Sequence, residues 1–170
     1  PGPARNELAL EMYYNWLNQG RKLVATAGSD IHGPFGPSQR PGYNVVYANA
    51  LRADDILDGI REGRLYLSSG PEIRVGLGDG SQDSVIGASL PLVETRLSVS
   101  WDHCPDDAVV RVVGRPKQAG ERSASRPIGE GPRGTAAVQI HPQPGFDWAA
   151  VEIRDSSGGL HGLTNPTFFG

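Results

Sequence analysis

The chain has a single cysteine, Cys104, so no internal disulfide can form and the fold cannot depend on one. It has no apolar run near the roughly 20 residues that a membrane-crossing helix needs, and no secretory signal opens it. It has no strong excess of either charge. Sixteen basic residues against nineteen acidic ones leave a net charge of −3, which builds no field to gather nucleic acid or an anionic membrane. Internal repeats are also missing.

Glycine and proline, by contrast, are plentiful, at 23 and 14 residues, and favour many turns and short strands over long helices. With 38% hydrophobic and 21% charged residues in a length of 170, the composition is that of a globular chain of one ordinary or two small domains. The chain opens Pro1-Gly2-Pro3 rather than with methionine, so a processed product or a piece of a longer protein is expected.

The first part reads as alternating helix and strand. Ala9, Met12, Tyr13, Trp16 and Leu17 recur at helical spacing, with Gly20 placed to end that helix in a left-handed cap. Leu23–Ala27 is a short apolar run of the kind covered on both faces in a parallel sheet. A Gly/Pro-rich loop over 33–42 leads to a strand at Tyr43–Tyr47. A second helix is expected from about Ala53 to Glu62, with Asp54 and Asp55 in its first turn, an apolar stripe of Ile56, Leu57 and Ile60, and a cap at Gly63. Leu65–Leu67 reads as a third strand and Gly70-Pro71 as a boundary.

Beyond about Ile73 the period becomes two. Leu97, Val99 and Trp101, then Ala136, Val138 and Ile140, then Ala149, Val151 and Ile153 alternate with smaller or polar neighbours, as in strands with one buried face. Asp107–Val113 is a more continuous apolar strand. Several short strands between turn signals suggest a β-sandwich. Residues 115–134, rich in Pro, Gly, Ser and Arg, are expected to be a solvated hairpin loop.

Chemistry is suggested most clearly at Gly28-Ser29-Asp30-Ile31-His32. Side chains at i and i+2 of an extended segment leave from one face, so the Asp30 carboxylate and the His32 imidazole can converge just past an apolar run. Oxygen plus nitrogen donors suit Zn, Mn or Fe better than Ca. Two donors are fewer than the three or four that a catalytic zinc takes from protein. The alternative is an ordinary turn in which Asp30 caps a backbone amide. Cys104, beside Asp102 and His103, lacks the paired cysteines of a structural zinc site and reads as filling or a surface turn. His141 and His161 read as loop residues, and Trp16, Trp101 and Trp148 as core or interface aromatics.

The stretch Ala25–His32 resembles the last metal-binding motif of the PHP (polymerase and histidinol phosphatase) superfamily. Trp16–Leu23 resembles the helix and turn that lead into that motif in the CehA/McbA-like metallohydrolases. Val46–Ala48, Leu51–Arg64 and Ser69-Gly70-Pro71 resemble the segments C-terminal to the motif in that branch, and Asn165–Phe169 resembles its usual ending. The resemblance implies an α/β fold over residues 1–72, formed by the C-terminal strands and helices of a distorted barrel, followed over 73–170 by an all-β sandwich. It assigns Asp30 and His32 to divalent metal ions, two or three in a complete site, where water activated by the metals attacks an ester, carbamate or phosphoester. Arg64, Tyr43 and Arg40 are the candidates for touching substrate.

The early His-x-His motif, the further histidines and the bridging glutamate of the superfamily have no counterpart in this chain. Arg52 also stands where a Ser or Thr helix cap is usual. The sequence therefore supports two functional expectations. One is part of a hydrolase completed by a further segment or by a homo-oligomeric partner. The other is a non-catalytic binding or assembly module. The cytoplasm and the periplasm of a bacterium both fit.

Overall fold

The structure is a computed structural model describing residues 3–29, 33, 41–78, 84–117 and 123–170. Helix α1 (Pro3–Asn18) is followed in sequence by strand β1 (Tyr43–Val46), helix α2 (Ala53–Arg61) and strands β2 (Leu65–Ser68) and β3 (Glu72–Leu77). There follow β4 (Ser89–Leu90), β5 (Thr95–Asp102), β6 (Val109–Gly114), β7 (Ala124–Glu130), β8 (Gly134–Ile140), β9 (Asp147–Arg154), β10 (Leu160–Thr164) and β11 (Thr167–Phe169).

Both helices stop where glycine allows. In α1 the Gly20 N–H donates to Leu17 O and the Arg21 N–H to Trp16 O. In α2 the Gly63 N–H donates to Ile60 O and the Arg64 N–H to Gly59 O. With φ of 82° at Gly20 and 72° at Gly63, each end is a Schellman cap, as expected from sequence. Arg52 is the N-cap of α2 and makes no side-chain cap bond, as its residue type implies.

The expected α/β barrel portion is not what forms: the described residues are mostly strand, in two sheets, with two helices. β1 and β2 pair antiparallel, Tyr43 opposite Ser68 and Val46 opposite Leu65, and β2 pairs antiparallel with β10. The cause is local. The Tyr47 N–H donates to Arg64 O at 2.8 Å, so the chain leaves α2 beside the point where β1 ended. α2 is therefore the loop of a wide hairpin and not a crossover between parallel strands. β1 and β2 share one eight-stranded sheet with β4, β6, β7, β9, β10 and β11, while β3, β5 and β8 form a second, antiparallel sheet.

Alternation along β9 shows the layering. Ala149, Val151 and Ile153 join Tyr66, Val110 and Phe169 against Ile73, Val75, Leu97, Val99, Trp101 and Val138 of the second sheet. Trp148 and Ala150 point the other way and pack with Leu163 and Phe168 on Leu10, Tyr13, Tyr14 and Leu17 of α1. The strand expected to bury one face thus buries both, because α1 covers the second. Trp101 lies so close to the backbone that a Cβ on Gly134 would come within 2.4 Å of its ring.

Two further differences have physical causes. The buried stripe of α1 contains Leu10 and Tyr14 rather than Ala9, Met12 and Trp16, because Tyr14 carries a hydroxyl that finds a buried partner while its ring stacks on Trp148. Part of the expected loop over 115–134 is strand β7, antiparallel to β6, with Ile128 on the core and Pro127 beside an irregularity in the register. Proline is tolerated in a sheet at such a position.

The Tyr14 hydroxyl donates to Glu152 Oε1, Arg154 Nε donates to Glu152 Oε2 at 2.7 Å, and Arg154 Nη1 reaches Glu7 Oε1 at 2.8 Å. Burial, then the Glu152 charge, pushes the Tyr14 hydroxyl well above its ordinary pKa, so it remains a donor. Replacing Tyr14 with Phe removes a neutral donor from a buried carboxylate. The substitution is expected to cost about 1–3 kcal/mol in urea unfolding, with α1 losing amide-exchange protection first.

Candidate functional site

Leu23–Ala27, expected to be a sheet strand, is extended but joins no ladder. Its backbone is held by two asparagine side chains. Asn165 Oδ1 accepts the Ala25 N–H at 2.7 Å while its Nδ2 donates to Ala25 O at 3.0 Å. Asn44 does the same for Ala27, at 2.8 and 3.0 Å. A primary amide presents a donor and an acceptor side by side, the same pair that a neighbouring strand would offer. Residues two apart in an extended chain turn these groups to one side, so both asparagines grip a single edge of the segment.

Asn165 sits between β10 and β11, which follow one another along the same edge of β9. In the gap, Thr164 Oγ1 accepts the Val151 N–H at 2.9 Å. Only 1% exposed, Asn165 also accepts from the Tyr13 hydroxyl at 3.1 Å and donates to Leu65 O at 3.2 Å.

The two clamps set the direction of the segment. Ala25 is fixed near Leu65, at one end of β2. Ala27 is fixed to Asn44, which pairs with Leu67 toward the other end. Gly28 and Ser29 then leave beside Gly42, where a Cβ would stand 3.3 Å from that of Ala27. Asp30 and His32, the expected metal ligands, come next and lie outside the described residues, as does Arg40.

Tyr43 stands at this exit, 45% exposed. Arg64 is at the opposite end of β2, about 13 Å away at ~3.3 Å per residue. There its Nε lies 2.9 Å from Glu62 Oε2. The structure therefore brings Tyr43, and not Arg64, to the side where Gly28 and Ser29 lie.

A cluster that sequence reasoning missed lies at the same end of the sheet. Ser69 follows the Ser68 that pairs with Tyr43, and its Oγ is 3.3 Å from His161 Nδ1. His161 Nε2 is 2.9 Å from Asp155 Oδ2. Hydrogen bonds from the Ser157 hydroxyl, His161 and the Gly159 N–H hold the Asp155 carboxyl well below the ordinary carboxylate range. An ionised Asp155 accepts a hydrogen bond from the Nε2–H, and in that tautomer Nδ1 is the acceptor facing the Ser69 hydroxyl.

This resembles the relay of a serine nucleophile, but among the described residues its surroundings do not complete one. The Ser69 N–H donates to His161 O and the Gly70 N–H to Ser68 Oγ, both at 2.9 Å, so neither is free to stabilise an oxyanion. The cluster fixes a histidine ring. It was hidden because Ser69 and His161 are 92 residues apart and no local spacing links them.

Cys104 is buried, and burial followed by the Asp102 charge pushes its thiol up to about 11, which fits structural filling rather than nucleophilic use. Among the described residues, no group of three or more His, Cys, Asp or Glu is placed to hold a metal. None of their helices is long and apolar enough to cross a membrane. Tyr43 also borders a cleft of about 760 Å3 between the β1–β2 edge and strands β3 and β5.

Compared with protein-family models, with curated proteins and with solved structures, the chain finds no significant match.

Asn165→Ala removes both partners of Ala25 and is expected to cost at least about 2 kcal/mol in urea unfolding, with amide exchange at Ala25 and Ala27 accelerating more than in the sheets. A depressed carboxyl pKa stabilises the fold above the unfolded value of about 4 and ceases to as pH falls through the folded value. The stability difference between the wild type and Asp155→Asn should therefore be largest near neutrality and shrink below about pH 4, read from urea midpoints across pH.

Proposed function

We propose that the chain forms part of a metal-dependent hydrolase acting on a small ester, carbamate or phosphoester, with Asp30 and His32 as ligands to Zn, Mn or Fe. The observation that carries this reading is the bond between distant blocks of the PHP resemblance. Ala25, at the start of the motif segment, is clamped by Asn165, 140 residues away in the block that resembles the branch's ending. That link gives both blocks one purpose, which is to hold an extended segment firmly up to Ser29.

The donor set fits the cations named: a hard carboxylate oxygen and an imidazole nitrogen, two positions apart. A divalent cation so held polarises a carbonyl or phosphoryl group and lowers the pKa of a water molecule. The chain's own residues contribute orientation. The two asparagine clamps fix the approach to the ligands, and Tyr43, half exposed at the exit, borders the space where a small substrate enters. The remaining ligands come from a further segment or from another chain in a homo-oligomer.

A second reading, an assembly module without catalysis, is favoured by one observation. Leu8, Met12 and Trp16, at i, i+4 and i+8 of α1, are 62%, 53% and 37% exposed and form an apolar ridge turned away from the sheet.

Titration with zinc and with manganese, followed by calorimetry, separates the two. The hydrolase reading expects saturable binding that is lost in Asp30→Ala and in His32→Ala while the fold is retained. Heats equal to dilution for both metals would leave the assembly reading.

A further inference from the structure

We infer that the outer face of the small sheet, together with Tyr43 and Tyr47 at the β1 edge, is a binding site for a neutral polyhydroxylated ligand of the saccharide class. No residue that carries it is a ligand of the proposed metal, although Tyr43 borders the substrate space of that reading as well.

The first observation is shape. The cleft of about 760 Å3 beside Tyr43 is bordered by Arg74, Ser98 and Ser100, and a second cavity of about 400 Å3 shares Glu72, Arg74 and Ser100 with it. The two are therefore parts of one trough, which continues to Thr135 on β8 and crosses three strands, about 10 Å of sheet. The register shows why it is open. On the outer face Gly76 lies opposite Ser98 and Arg74 opposite Ser100, and the next partners outward are Ala137 and Thr135. Short side chains leave the middle of the sheet low, with longer ones at its margins. The volume lies within the range of small-molecule sites.

The second observation is the chemistry of the walls. Tyr43, Tyr47 and Tyr66 form one side, with the Tyr47 and Tyr66 ring centroids 6.3 Å apart. Tyr66 is buried, so Tyr43, 45% exposed, and the half-buried Tyr47 offer the apolar faces for the C–H surface of a pyranose. The Tyr47 hydroxyl donates to Ile73 O at 3.0 Å, which fixes that ring to the small sheet. The same cleft is also bordered by hydroxyls, a guanidinium and a carboxylate, those of Ser98, Ser100, Arg74 and Glu72. Among the described residues, the Ser98 and Ser100 hydroxyls have no hydrogen-bonding partner.

Charge then narrows the ligand class. Glu72 and Arg74 cancel in the first cavity, and Asp102 and Arg133 cancel where the second extends it. A phosphate or polyanion would call for a cationic excess, a polyamine for an anionic one, and a lipid for apolar walls on every side. A ligand whose groups each donate and accept, and which also has an apolar face, matches mixed donors and acceptors beside aromatic rings.

The test uses the chain labelled with 15N and titrated with maltotriose, cellotriose and triacetylchitotriose at millimolar concentration, with inorganic phosphate and spermine as charged probes. The expected result is saturable amide shifts confined to β1, β3 and β5 with at least one sugar. Ser100→Trp, which fills the trough from its solvent side, should weaken that affinity at least about tenfold, as should Tyr43→Ala. Tyr43 is exposed enough for its variant to stand alone if Ser100→Trp does not fold. No saturable shift with any of the three sugars would overturn the inference. So would sugar binding unchanged in Tyr43→Ala, or phosphate or spermine shifting these residues where the sugars do not.

Discussion

A buried primary amide is costly unless its two donor and two acceptor positions are all filled, and Asn165 fills all four. Its oxygen takes hydrogens from Tyr13 and Ala25, and its nitrogen gives hydrogens to Ala25 and Leu65. These groups belong to α1, the extended segment and β2, and the asparagine itself lies at the junction of β10 and β11. At Ala25 the path of the segment across the sheet therefore depends on one side chain at a break between two strands, with Asn44 holding Ala27. A continuous β10–β11 strand would have aligned that position with β9 and left Ala25 without a partner.

The same logic of satisfied buried polarity governs how α1 sits. Its covered face carries tyrosines whose hydroxyls meet Asn165 and Glu152, and Glu152 is balanced by Arg154. Apolar packing supplies the bulk of the attraction through Leu10, Leu17 and Trp148, but it is indifferent to small rotations of the helix. The hydroxyl contacts fix the rotation. They also leave Met12 and Trp16 outside, although these residues are as apolar as those within.

How much of this was legible in the sequence depends on how local each signal was. Gly20 and Gly63 marked the helix ends because a left-handed cap is a property of a few consecutive residues. The alternation at 97–101, 136–140 and 149–153 marked strands for the same reason. Strand direction was not legible, since Tyr43–Val46 and Leu65–Ser68 look alike whether they pair parallel or antiparallel. The barrel expectation failed at that point. Leu8, Leu10 and Tyr14 flank the stripe read on α1, so periodicity alone could not choose its face. Leu23–Ala27 read as a strand because its composition fits one, while the amides that replace its neighbours lie at residues 44 and 165. In the candidate site, Asp30 and His32 were visible as a compact motif. Ser69, His161 and Asp155 were not, because only the antiparallel pairing of β2 with β10 brings two of them together.

The clamp at Ala25 also has a consequence for the order of events on the ribosome. Residues 25 and 27 emerge early, but the amide that holds the first of them is not made until synthesis reaches position 165. During elongation Asn44 can hold this stretch only at Ala27, and Ala25 has no partner for its N–H and C=O. The stretch can adopt its final course only once the last strands have closed against β9. Contacts at so large a separation in sequence form late and slow the approach to the native state. Organisation of this end of the molecule is thereby deferred until the sheet that supports it is complete.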